Sequence, residues 1–112
     1  MLFRSRLLSV LLAIVNAPRG TVLVDEIENG LHYSVMVDVW KAIADAARRS
    51  ETQVFATTHS WECIRAAHEA FTAGGQYDFR LHRLDRAGDD IRAVTYDQKK
   101  LALALESGLE VR

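Results

Sequence analysis

The chain has 112 residues, 49% of them apolar, with 14 basic and 15 acidic side chains and a formal net charge of −1. That balance excludes a disordered chain and any global attraction to nucleic acid or an anionic membrane, and the length allows one small domain at most. A single cysteine, Cys63, excludes an intramolecular disulfide and fits a reducing, cytoplasmic setting.

The first six residues carry two arginines, and Leu7 to Val15 is nearly all apolar, in the manner of a signal peptide. Asn16, Ala17, Pro18 and Arg19 stand where a small-x-small cleavage site would be needed, and the run is shorter than the roughly 20 residues that span a bilayer. Leu7, Leu8, Leu11, Leu12, Ile14 and Val15 recur at helical spacing, so a buried helix is expected, stopped by Pro18 and Gly20. Thr21 to Val24 then reads as a buried strand running directly into two acids, Asp25 and Glu26. In an open α/β sheet ligands sit beyond the carboxyl ends of the strands, so acids placed there face a ligand. A Walker B element has this form: its aspartate holds Mg²⁺, usually through water, and a following glutamate orients or deprotonates the water that attacks the γ-phosphate. Four apolar residues and two acids are a loose pattern by themselves.

Glu28, Asn29 and Gly30 form a loop, and Ser34 is the expected N-cap of a second helix with Val39, Trp40, Ile43, Ala46 and Ala47 on its apolar face. Arg48 and Arg49 suit its C-terminal end, where the helix dipole favours cations. Gln53 to Thr58 reads as a second buried strand, and strand, helix, strand implies a parallel crossover that sets Thr58, His59 and Ser60 level with Asp25 and Glu26. Ser60 caps a third helix through Ala70, with Ile64, Ala67 and Phe71 on one face and Gly74 or Gly75 ending it. Strands are expected over Tyr77 to Leu84 and Ile91 to Tyr96, joined by a hairpin loop over Arg86 to Asp90. Asp97 caps a last helix that Gly108 closes. Trp40 and Trp61 are read as packing residues.

TVLVDEIENGLHYS followed at this distance by VFATTHS resembles the ABC-type ATPase core, most closely the AAA-labelled ATP-binding proteins akin to RecF and the overcoming-lysogenisation-defect family. The Asp25 and Glu26 pair, the Glu28 to His32 turn and His59 after a strand carry the likeness, with a leucine-rich helix before them and a hairpin plus helix ending ESGLEVR after them. The resemblance implies an α/β fold, the C-terminal portion of a P-loop NTPase, with a parallel sheet, flanking helices and a terminal β-hairpin plus helix. It implies ATP and Mg²⁺ as cofactors, Asp25 on the metal, Glu26 polarising the attacking water and His59 as the switch histidine at the γ-phosphate. Glu28, Asn29 and His32 would form the loop that touches a second ATPase head across the nucleotide, most simply in a homodimer. Nucleic acid would enter only through the full assembly, and no membrane is involved.

The departure from the family pattern is equally informative. A P-loop needs G-x-x-x-x-G-K-[ST], and no glycine here precedes a lysine. Only Met1 to Ser5 stands where the family has its signature loop. Residues 1–112 therefore read as a partial ATPase domain that depends on residues outside this chain to bind nucleotide. The alternatives are a non-enzymatic remnant that docks to an intact relative, and a nuclease in which Asp25, Glu26, Glu28, His32 and His59 ligate metal directly.

Overall fold

The computed structural model describes residues 2–108, with side chains from Ser5 onward. The ESGLEVR ending lies outside the described residues beyond Gly108. Helix α1, Leu2–Val15, feeds strand β1, Thr21–Val24; a 3₁₀ turn, Tyr33–Val35, leads into α2, Met36–Ser50, and β2, Gln53–Ala56. Helix α3, Trp61–Ala73, is followed by the hairpin β3, Leu81–Ala87, and β4, Asp90–Tyr96, and by α4, Gln98–Ser107. Ser60 accepts from the Cys63 N–H and Asp97 from the Lys100 N–H, so both expected caps satisfy first-turn donors, while left-handed Gly108 (φ 70°) closes α4.

The expected Ser34 cap is corrected. Val35 is the residue before α2 and its side chain makes no capping bond. The chain enters α2 through the 3₁₀ turn, and there the His32 imidazole accepts from the Ser34 N–H. The third helix runs one turn further than expected, to Ala73, and β3 begins at Leu81, leaving Tyr77 and Phe79 in an irregular segment.

β1 and β2 pair in parallel, Thr21 opposite Gln53 and Val24 opposite Ala56, as the crossover reading requires. They are not the doubly buried strands expected. Val22 and Val24 point into the core, whereas Leu23 is 78% exposed and its cross-strand partner Phe55 49% exposed. One face of the pair is packed against helices and the other is bare. Helix α1, expected as a buried helix, is buried on one face: Val10 and Ile14 are buried, but Leu8, Leu12 and Val15 face outward.

Two strand pairs form separate sheets, β1 with β2 and β3 with β4, and β2 does not bond to β3. A groove of about 810 Å³ separates them, lined on one side by β2 and on the other by Phe79 to Leu84. The larger core joins α1, β1, α2 and α3 around Ile14, Ile43 and Ala67, and a smaller one joins α3, the hairpin and α4 around Ile64, Tyr96 and Leu101. An aromatic group bridges them. Trp40 donates its indole N–H to the Cys63 carbonyl at 3.1 Å, Phe71 stacks on Phe79 at 5.0 Å, and Tyr77 meets His68 at 2.8 Å. Burial pushes the Tyr77 hydroxyl up to about 12 and lowers the His68 imidazole from its ordinary value. Among the described residues, no helix is long and apolar enough to cross a membrane.

Arg48 ties α2 to the segment ahead of β3. Its Nε and Nη2 donate to the two carboxylate oxygens of Asp78 at 2.9 and 2.6 Å, and Nη2 also reaches the Gln76 carbonyl. The hydrogen bonds from Arg48 hold Asp78 below the usual carboxylate value of 3.8. A carboxylate whose folded pKa is depressed stabilises the fold fully above its unfolded pKa, and that contribution is lost as pH falls through the folded value. Asp78→Asn is therefore expected to cost about 0.5 kcal/mol at neutral pH, a small value because the pair is partly solvated, and to leave the two proteins equally stable in acid. Urea melts at pH 7 and pH 2.5 check this. The bare Leu23 and Phe55 face should make the chain self-associate, and Leu23→Thr with Phe55→Thr should shift sedimentation toward monomer. A wild-type chain that stays monomeric at high concentration would contradict that expectation.

Candidate functional site

The acidic turn begins where β1 stops pairing as a strand. Val24 is the last strand residue, Asp25 and Glu26 are exposed, and Glu26 adopts the left-handed conformation at φ 49°. A non-glycine residue there is held at a cost of order 1 kcal/mol, so the surroundings must impose it. Thr57 does much of this. Its hydroxyl accepts from the Glu26 N–H at 2.8 Å and donates to the Asp25 carboxylate, while its carbonyl accepts from the Ile27 N–H at 3.0 Å. The Thr57 N–H donates to the Val24 carbonyl at 2.9 Å, which extends the parallel ladder past the end of β2. Ile27, 2% exposed, anchors the chain beyond the turn in the larger core.

Arg6 approaches from α1. Its Nη2 donates to the Asp25 carbonyl at 2.7 Å and the Glu26 carbonyl at 3.3 Å. Sequence reading missed both helpers. Thr57 carried a weak signal as a threonine at the end of a strand beside the acids, but Arg6 lies 19 residues from Asp25 and carried none.

The following loop turns tightly. Asn29 N–H bonds the Glu26 carbonyl and Leu31 N–H the Glu28 carbonyl, both at 2.9 Å, with Gly30 at φ 79°. Glu28 is half-buried, and its Oε2 accepts from the His59 N–H at 3.2 Å, so the loop and the segment after β2 are joined. Asn29 and His32 are exposed. The His32 Nδ1 lies 3.2 Å from the Ser34 N–H and 2.9 Å from its hydroxyl, and the ring rests on Tyr33 at 4.4 Å.

Asp25, Glu26 and His59 line the groove between β2 and β3, whereas Glu28, Asn29 and His32 do not. Six residues named together from the sequence thus divide into a groove-facing trio and a loop beside it. Among the described residues, no three His, Cys, Asp or Glu side chains gather as a metal cage. The direct five-ligand metal centre of the nuclease alternative is not formed by this geometry.

No curated protein matches the chain. A solved structure of an SMC ATPase, described for ATP-driven dimerisation and DNA-stimulated activation, superposes with a TM-score of 0.54 at 20% identity, covering 93% of this chain and 58% of that one. The two share a fold, and the chain spans less than two thirds of that solved protein. The acidic turn, the loop and His59 all lie within residues 4–64, which match the model of the AAA ATPase domain. That match takes in more than half of the 112 residues, and the chain belongs to the AAA ATPase domain family.

Proposed function

We propose that this chain is the part of an ABC-type ATPase, of the RecF and overcoming-lysogenisation-defect kind, that carries the groups for hydrolysis while other residues bind the nucleotide. The observation that carries this reading is the convergence of Asp25, Glu26 and His59 on one groove from the carboxyl ends of two adjacent parallel strands. Ligands of open α/β sheets sit there.

Asp25 suits Mg²⁺. It is an exposed hard-oxygen donor at the strand end, oriented by the Thr57 hydroxyl. Magnesium at a nucleotide keeps water and phosphate ligands and needs only one or two carboxylates, so a full protein cage is not required. When bound, the ion neutralises phosphate charge. Glu26, held by Thr57 and Arg6, would orient and deprotonate the attacking water. His59 would donate to phosphate oxygens, and its backbone bond to Glu28 couples it to the loop. Exposed Asn29 and His32 would meet a second ATPase head, in line with the ATP-driven dimerisation described for the SMC ATPase.

The groove also fits the missing half of the site. Among the described residues the edge of β2 away from β1 bonds no strand, and a P-loop strand entering between β2 and β3 would pair there and bring phosphate-binding backbone N–H groups level with the acids. A helix following that strand would cover Leu23 and Phe55. The lack of any Gly-Lys pair favours a second reading, a docking remnant without activity.

The isolated chain is expected to show no ATP hydrolysis above background, because phosphate positioning supplies nearly all the catalysis in phosphoryl transfer. Mg²⁺-dependent turnover of the purified chain that Glu26→Gln abolishes would overturn this. In a polypeptide that supplies the P-loop strand, Glu26→Gln should keep ATP binding and lose about a hundredfold or more in kcat. Equal loss of binding would make Glu26 structural, unchanged hydrolysis would remove Glu26 from the chemistry, and no hydrolysis even with Glu26 intact would favour the docking remnant.

A further inference from the structure

We propose that Arg6 is a positioning residue that sets the direction of the Glu26 side chain by reading the backbone conformation of the acidic turn; its bearing on hydrolysis rests on the function proposed above. One guanidinium nitrogen, Nη2, takes the carbonyls of both Asp25 and Glu26, at 2.7 and 3.3 Å. Successive carbonyls of an extended strand point to opposite edges, so a single donor cannot hold both. At Glu26 the left-handed φ of 49° departs from the extended form, and the two carbonyls come within reach of one nitrogen.

The alternative backbone state is easily identified. Were Glu26 to relax to the extended conformation favoured by an ordinary L-residue, the carbonyls would diverge, Arg6 would lose one of them, and the Glu26 side chain would swing to the opposite side. Charge-assisted bonds to the left-handed form alone shift the balance toward it. Arg6 is also held against a local penalty. Among the described residues its buried Nε has no partner, whereas an arginine serving only solubility would carry its head out to water. Thr57, the residue just after β2, fixes the same turn through the Glu26 N–H, so the turn is gripped on its amide side by the segment leaving that strand and on its carbonyl side by α1. Val10 and Ile14, one and two turns further along α1, are buried in the larger core, which gives the arginine a rigid mount.

The test uses the chain as it stands. Arg6→Met keeps the apolar stem and the helix while removing the guanidinium, and Arg6→Lys restores one donor. Nuclear magnetic resonance reads the φ-dependent coupling and Cα shift of Glu26 and the hydrogen exchange of the Glu26 and Ile27 amides, with the amides of α2 and α4 as controls. In Arg6→Met the Glu26 marker should move toward extended values and both amides should exchange roughly tenfold to a hundredfold faster, with the controls unchanged and Arg6→Lys intermediate. An unmoved Glu26 marker in Arg6→Met, or loss of protection spread equally over the controls, would overturn the proposal. None of these readouts needs nucleotide. If Glu26→Gln leaves hydrolysis intact in the complemented protein, the assigned role of the acids fails while this result for Arg6 stands by itself.

Discussion

Everything at the groove depends on the ladder between β1 and β2 continuing after both strands have ended. The Thr57 N–H reaches back to Val24 and the Thr57 carbonyl forward to Ile27, so the turn bearing the acids and the segment bearing His59 share one hydrogen-bonded frame. Its value is geometric. Two exposed loops leaving adjacent strands would otherwise wander independently, and ordering them separately would cost conformational entropy at each residue. Thr57 adds a side-chain bond to each acid, to the backbone N–H of Glu26 and to the carboxylate of Asp25. The Glu28 carboxylate closes the frame by accepting from the His59 N–H.

That frame stands at the edge of a layer packed on one side. Helices pack one face of the β1 and β2 pair, and the opposite face shows Leu23 and Phe55 to water. Parallel sheets are ordinarily covered on both faces, because their crossover connections place helices there. The hairpin does not cover that face. It turns Leu81, Val94 and Tyr96 toward α3 and α4 and stays apart from β2, held at its distance by the aromatic bridge through Trp40, Phe71 and Phe79 and by the Arg48 to Asp78 pair. A small second core therefore keeps β3 in place without help from β2. This explains how a groove can persist between two strands whose free edges would gain by pairing.

Much of the local structure was legible because it rests on short-range chemistry. Ser60 and Asp97 cap the helices they precede, Gly108 closes α4, and the parallel pairing of β1 and β2 follows from strand, helix, strand order. Ser34 misled because a serine before an apolar run is a strong cap signal, yet the chain enters α2 through a 3₁₀ turn in which His32 takes the capping role. Tyr77 and Phe79 misled in another way. Alternating aromatics read as strand, but their rings pack around Phe71 while their backbone joins no sheet.

By itself the sequence determined that two acids follow one apolar run and a histidine follows the next, because residue type and strand period are local properties. It also determined that no glycine is followed by lysine. Only the tertiary structure decided that Asp25, Glu26 and His59 open onto one groove while Asn29 and His32 stay beside it, and that one sheet face is bare. Arg6 and Thr57 belong to the same category. Their partners lie 19 and 31 or 32 residues away, and contacts at that separation are set by how helices and strands pack, which no local pattern encodes.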